Sequence, residues 1–192
     1  MNERSVILLD LDHTLVHTLD VHYPGFELIP HETLYIHVRP YVREFLSHLM
    51  QHDDLFEFGF WTCGTAEYAN DVVQGLLRLV DAADWPLRIL LSRQDAVVVD
   101  GSYVKDLRLV RQRFGATDLL LLDDNPIHLR IATNATSVCL VPPFFASNPA
   151  APQDRFLMNL AQQPIAPHPD PSPPMCVHRP CAVRPTPPPE PW

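Results

Sequence analysis

The sequence predicts an α/β fold: a Rossmann-like parallel sheet flanked by helices, with a small β insertion and a disordered Pro-rich C-terminal tail. Three observations carry this expectation. Ser5–Leu9 and Leu119–Leu122 are short, nearly continuous apolar runs, which suits strands buried on both faces. Strand-like runs alternate with segments of helical spacing, as in a parallel sheet covered on both sides. From Pro164 to Trp192, 12 of 29 residues are proline, a composition that disfavours both helix and sheet ladder.

The elements follow in chain order. After the first strand, Phe26–Ile29 and Thr33–Val38 read as a hairpin across Pro30 and His31. Pro40 suits the first turn of a helix over Tyr41–His52, in which Val42, Phe45, Leu46 and Leu49 share a face. Leu55–Trp61 is aromatic-rich and strand-like. Ala66–Val80 places Tyr68, Val72, Val73, Leu76, Leu77 and Val80 along one broad helical stripe. Leu87–Leu91 and Ala96–Val99 resemble strands, and Asp100-Gly101 is a tight-turn signal ahead of Tyr103 and Val104. Leu107–Phe114 is a short helix candidate, Ser137–Val141 a further strand, and Asp154–Gln163 a last short helix. The expected organisation is a domain over 1–147 with an insertion at about 87–104, a helical extension over 148–163, and the tail over 164–192.

Charge and cysteine content exclude several classes. The net charge of −9 falls wholly in residues 1–147, with 11 basic against 20 acidic residues; residues 148–192 carry three of each. An acidic surface argues against direct binding of nucleic acid, which relies on Lys and Arg at phosphates. A phosphorylated ligand must therefore meet a local cation or a metal. Cys63, Cys139, Cys176 and Cys181 are too scattered for a disulfide framework, and no charged-then-apolar leader opens the chain. The expectation is a soluble, monomeric, intracellular protein, nuclear or cytoplasmic, neither secreted nor membrane-bound. In that setting the sequon Asn134-Ala-Thr136 is accidental. None of the cysteines is followed six positions on by arginine, and neither a glycine-rich GK loop nor a G-x-S-x-G elbow occurs. Cysteine-dependent phosphoryl chemistry, P-loop hydrolysis and that serine-hydrolase elbow are thereby excluded.

Each of the two most apolar strands runs into acid, Asp10-Leu11-Asp12 and Asp123-Asp124. A single acid there is an ordinary turn former; two double-acid sites behind two apolar strands ask for another reason. If the strands are parallel neighbours, four carboxyl groups converge at one edge of the sheet, where ligands of such sheets bind. Their repulsion calls for a cation, and an oxygen-only donor set suits a hard ion such as Mg²⁺. Lys105 is the only lysine beside 13 arginines, which fits a position that needs a compact ammonium rather than a planar guanidinium. His13 and His17, at i and i+4, would share a face if a helix ran there, although no third ligand stands at suitable spacing.

The stretch DLDHTLVHT, residues 10–18, resembles the DxDxT signature of haloacid dehalogenase-superfamily phosphatases. FWTCGTAEYA, GSYVKDL and LLLLDDNP are similar to the second, third and fourth motifs of the branch that dephosphorylates the C-terminal domain of RNA polymerase II, the NLI-interacting-factor-like or small CTD phosphatases. The resemblance covers about residues 4–145. It implies a Mg²⁺-dependent protein serine/threonine phosphatase acting on a phosphoserine peptide, such as that polymerase domain. By the same resemblance Asp10 is the nucleophile that becomes an aspartyl-phosphate, and Asp12 is the general acid and then base. Thr62 and Lys105 complete the catalytic set. Thr62 would meet the phosphoryl group through its hydroxyl and backbone. Asp10, Asp12, Asp123 and Asp124 are the implied metal ligands, Asp12 through its carbonyl. Thr14, Thr62, Cys63, Arg93 and Lys105 are the implied substrate contacts. Two positions depart from the pattern: Asp124 stands where these phosphatases usually have Asn, and His13 replaces an acid. Leu87–Tyr103 resembles their three-stranded insertion.

Other readings are a phosphatase of nucleic-acid ends or of a small phosphometabolite, and a noncatalytic phosphopeptide-binding relative. The acidic charge opposes the first, the lack of a large cap between motifs the second, and retention of both Asp10 and Asp12 the third. The tail suits an SH3 or WW ligand or a solubilising appendage. It holds the only Ser-Pro and Thr-Pro pairs, Ser172-Pro173 and Thr186-Pro187, which once phosphorylated would compete for the chain's own site. Cys176, His178 and Cys181 give it a loose metal-like spacing.

Overall fold

The sheet is built outward from its most apolar strand. In the computed structural model, which describes residues 5–162, β1 (Ser5–Leu9) lies between β5 (Phe56–Trp61) and β9 (Leu119–Asp123). β6 (Leu90–Leu91) flanks β5 and β10 (Val138–Leu140) flanks β9. The order is β10-β9-β1-β5-β6, with every pair parallel. The expected parallel sheet is present; the tail and its Ser-Pro, Thr-Pro and Cys/His features lie outside the described residues.

Alternation along these strands supplies two cores. Leu9, Phe58, Phe60 and Leu122 pack on one face beneath α1 (Val42–Met50), α2 (Ala66–Leu79) and α4 (Phe156–Ala161). The antiparallel sheet of β2 (Val16–Leu19), β4 (Tyr35–Val38) and β3 (Leu28–Ile29) joins the same core. Val6, Leu8, Trp61, Leu119 and Leu121 pack on the other face against Leu107 and Val110 of α3 (Leu107–Phe114). α2 approaches β3 so closely that a Cβ at Gly75 would stand 2.2 Å from a methyl carbon of Ile29, so only glycine fits there.

Connectivity places the site. The chain passes from β1 to β5 and β6 on one side, then returns to β9 and β10 on the other. The reversal opens a crevice between the carboxyl ends of β1 and β9, the usual ligand position in open α/β sheets. Leu9 is in register with Leu122, so Asp10 and Asp123 follow side by side. The alternation that turns Val6, Leu8, Leu119 and Leu121 toward α3 continues to both acids.

The condition under which His13 and His17 would share a face is not met, and one local expectation is corrected. His13 and His17 do not share a helix: His13 is left-handed (φ 61°), and His17 lies in β2, paired with His37 of β4. Their rings meet tilted, with centroids 4.9 Å apart, and pack against Phe145. The insertion over 87–103 is not three-stranded. Leu90 and Leu91 add to the edge of the main sheet beside Phe60 and Trp61, which leaves a two-stranded hairpin of β7 (Val97–Val99) and β8 (Ser102–Val104). Asp100 and Gly101, both at positive φ, turn that hairpin.

The last helix is fastened to the loop behind Asp12 by a buried arginine. Arg39, 1% exposed, donates from Nη1 to the Thr14 carbonyl at 3.0 Å and from Nε and Nη2 to Asp154 Oδ2 at 2.9 and 2.8 Å. Its guanidinium also lies over the ring of Phe156. Breaking a buried pair by removing one partner strands the other charge away from water. Asp154→Ala is expected to lower unfolding free energy by about 3 kcal/mol, read as a drop in the urea midpoint at unchanged m-value; a midpoint at the wild-type value would show that Arg39 needs no partner there.

Candidate active site

Three carboxylates meet in the crevice. Oxygens of Asp10, Asp123 and Asp124 lie within 4.8 Å of one another, and Asp10 and Asp123 are buried. The ammonium of Lys105, itself 1% exposed, sits between two of them: Nζ donates to Asp10 Oδ1 and to Asp123 Oδ2, the latter at 2.6 Å. Lys105 arrives from the α3 side, at the junction between β8 and α3, which is the side to which strand alternation sends both acids.

Burial dominates the electrostatics. It pushes the Asp10 carboxyl well above the usual range, with Asp123 and Asp12 adding to the effect against the pull of Lys105. Asp123 is also buried, yet Lys105 and His128 outweigh that penalty and hold it at about 2. Burial and Asp123 raise Asp124, with His13 and Lys105 opposing. Burial would depress Lys105, but Asp10 and Asp123 more than compensate and raise it. Three carboxylates against one ammonium leave an excess of acid in a site of oxygen donors, and that arrangement fits a hard divalent cation.

A set of polar side chains braces Lys105. His128, in the single turn Pro126–Arg130, accepts from the Lys105 backbone N–H at Nδ1 (3.1 Å), so the ring proton sits on Nε2, 3.2 Å from Asp123 Oδ2. Asn134 is fully buried. Its Nδ2 donates to the carbonyls of Lys105 (2.7 Å) and His128 (2.9 Å), and its Oδ1 accepts from Leu107 N–H at 3.2 Å. Asn125 N–H donates to Asp123 Oδ1 at 2.9 Å.

Asp12 is held apart from this cluster. Thr62, at the end of β5, donates from Oγ1 to Asp12 Oδ2 at 3.0 Å and accepts at the same oxygen from Gly64 N–H at 2.9 Å. Tyr68, in the first turn of α2, donates to Asp12 Oδ1 at 2.5 Å, and its hydroxyl pairs with Thr18 Oγ1 at 2.7 Å. Burial and then the charge of Asp12 push the Tyr68 phenol upward, so it remains a donor. The Thr62 backbone N–H is committed to the Leu91 carbonyl at 3.1 Å, so only its hydroxyl faces the site.

The remaining candidates lie at varied depth. Thr14 is 1% exposed, with its carbonyl on Arg39 and its hydroxyl without a partner among the described residues. Cys63 sits at the rim, its thiol pushed up by burial and within 3.9 Å of the Tyr103 carbonyl. Arg93 is exposed; it donates from Nε to the Cys63 carbonyl at 2.7 Å and lies over the Tyr103 ring. Sequence reasoning passed over Tyr68, Thr18, His128 and Asn134. Tyr68 was hidden in an apolar helical stripe and Asn134 in a sequon; His128, five residues after Asp123, carried a weak positional signal.

Fold and crevice together define an α/β protein whose chemistry is centred on carboxylates. Residues 5–164 match the family model of the NLI interacting factor-like phosphatases, and the chain belongs to that family. It is 35% identical over 135 residues to human carboxy-terminal domain RNA polymerase II polypeptide A small phosphatase 1, covering 65% of this chain and 47% of that protein. A CTD phosphatase-like protein of Invertebrate iridescent virus 3 is 27% identical over 180 residues, covering 83% of this chain and 94% of that one. The solved structure of Fcp1, an essential RNA polymerase II CTD phosphatase, shares the fold with a TM-score of 0.52 at 20% identity, covering 83% of this chain and 49% of that one. The chain spans about a quarter to a half of the length of the fission-yeast, nematode and human relatives it matches. No helix among the described residues is long and apolar enough to cross a membrane.

Asn134 gives a direct check on the brace. Asn134→Ala leaves the Lys105 carbonyl and Leu107 N–H buried without that partner, at about 1–3 kcal/mol for each unsatisfied group. The expected result is a fall of about 3 kcal/mol in unfolding free energy by denaturant titration; a variant as stable as wild type would mean that the network contributes nothing to holding Lys105.

Proposed function

We propose that this chain is a Mg²⁺-dependent protein serine/threonine phosphatase acting through an aspartyl-phosphate on Asp10. One observation supports this most: two carboxylates two positions apart have opposite surroundings. Asp10 is buried against Lys105 and beside Asp123, whereas Asp12 is half-buried and bound on both oxygens by hydroxyls. Two acids kept in different environments suit different roles in one reaction.

In the first step a carboxylate oxygen of Asp10 attacks phosphorus. The bond from phosphorus to the serine oxygen breaks, and Asp12 gives that oxygen its proton. In the second step water attacks phosphorus, Asp12 takes the water's proton, and the bond to Asp10 breaks to release phosphate. Lys105 uses two of its three N–H donors on Asp10 and Asp123, and the third serves a phosphoryl oxygen. Asp10, Asp123, Asp124 and the main-chain carbonyl of Asp12 would hold Mg²⁺, which supplies positive charge that keeps Asp10 ionised and screens the phosphoryl oxygens. Thr62 orients Asp12, and Cys63 and Arg93 line the rim where a peptide lies.

The substrate class is a phosphoserine peptide, with a Ser-Pro sequence of the polymerase C-terminal domain as the leading case, in keeping with the names of the human relative and of the Fcp1 structure. The net charge of −9 disfavours phosphorylated nucleic-acid ends. The protein acts inside the cell, in nucleus or cytoplasm, as a monomer.

Phosphate release from phosphoserine peptides, nucleotides and 3′-phosphorylated DNA, with Mg²⁺ and with EDTA, tests the proposal. The expected outcome is Mg²⁺-dependent turnover of peptides, no detectable turnover for Asp10→Asn, and a loss of about 10²–10⁴ in kcat for Asp12→Asn. Wild-type turnover by Asp10→Asn would remove the covalent mechanism.

A further inference from the structure

Asp12 must present its carboxyl to the serine oxygen in one orientation, and the fold fixes both of its oxygens. Thr62 takes Oδ2. Oδ1 is taken by Tyr68, which sits on a different element and is itself fixed from three directions. Its backbone N–H is anchored at the start of α2 by Thr65 Oγ1 at 3.3 Å. Its hydroxyl is bound by Thr18 Oγ1 on β2. Its ring lies against Gly64, where a Cβ would come within 2.7 Å of Tyr68 Cδ1 and 3.3 Å of Thr62 Oγ1. The loop between β5 and α2 is therefore cut to admit this ring. The chain Thr18–Tyr68–Asp12–Thr62 is a continuous line of hydrogen bonds, 2.7, 2.5 and 3.0 Å long, that brings three separate elements to one carboxylate. Hydrogen bonds to a charged group are stronger than neutral ones, and losing one frees the group to turn.

We propose that Tyr68, keyed by Thr18, is a positioning residue that holds the Asp12 carboxyl in line for proton transfer to the departing serine oxygen. This rests on the role given to Asp12 above. An alkoxide leaving group needs that proton; the nitrophenolate of p-nitrophenyl phosphate departs without it. Loss of the Tyr68 hydroxyl therefore harms the leaving-group step of one substrate far more than that of the other, while the later hydrolysis of the aspartyl-phosphate is common to both; a loosened fold would slow the leaving-group step of both alike.

The experiment compares wild type, Tyr68→Phe, Thr18→Val, the double variant and Asp12→Asn on a phosphoserine peptide and on p-nitrophenyl phosphate. Tyr68→Phe keeps the ring and removes one hydroxyl. The expected result is a fall of about tenfold in kcat/KM on the peptide, the ratio that reports the step in which the serine oxygen departs, and a much smaller fall in kcat/KM on p-nitrophenyl phosphate. Thr18→Val, which leaves Tyr68 in place, shows a weaker effect of the same kind. Because Thr18 acts through Tyr68, the double variant is no slower than Tyr68→Phe alone. Equal losses in kcat/KM on both substrates, or additive losses in the double variant, would overturn the proposal. If Asp12→Asn keeps full activity on the peptide, the acid-base role of Asp12 fails instead; if Asp12→Asn is impaired and Tyr68→Phe is not, only the positioning role fails.

Discussion

The ion pair that ties Lys105 to both Asp10 and Asp123 is the constraint on which the rest of the site depends. Two parallel strands cannot deliver buried carboxylates to the same point without a compensating charge, because like charges removed from water repel strongly and each loses its hydration. Lys105 supplies that charge, and its own burial is tolerable only because both acids face it. The polar side chains behind it follow from this need. His128 and Asn134 fix the backbone that carries the lysine, and Asn134 also holds the start of α3, so the helix and the ammonium are placed together.

The second constraint is separation. Asp12 follows Asp10 by two residues, and a straight continuation of β1 would turn both side chains the same way. Instead the chain folds into a turn just beyond Asp12. His13 takes a left-handed conformation, and its N–H closes on the Val16 carbonyl at 2.7 Å. The Asp12 carboxyl then meets the end of β5 and the first turn of α2, where hydroxyls replace the ammonium as its partners. One short stretch of sequence thus presents two identical side chains to two different local environments.

Much of this fold was legible because hydrophobic patterning is a local signal. The short apolar runs ahead of Asp10 and Asp123 suited strands buried on both sides, and acids ending both runs pointed to one edge of the sheet if those strands were parallel neighbours. The helices Val42–Met50 and Leu107–Phe114 were plain from spacing, although Pro40, expected in the first turn, stands just ahead of the N-cap Tyr41. Less legible were features decided by tertiary pairing. Val16–Leu19 is too short to declare itself, and becomes a strand because Tyr35–Val38 lies beside it. Leu90–Leu91 reads the same whether it joins an insertion or the main sheet. Tyr68 counts as apolar in a helical stripe, and nothing in sequence distance links its hydroxyl to Asp12, 56 residues away. The backbone N–H of Thr62 reads as free for a ligand in the sequence, because nothing local shows that β6 lies alongside to accept it.

The anchoring of the loop behind Asp12 by Arg39 and Asp154 also bears on how the protein is made. The two partners are 115 residues apart, and a ribosome adds about 5–20 residues per second. For on the order of ten seconds, Arg39 and the nascent β1–β4 region exist without the acid that will bury that guanidinium. The turn that carries Asp12 therefore receives this fastening only once Asp154 has left the exit tunnel, well after the strands on either side of the turn have emerged.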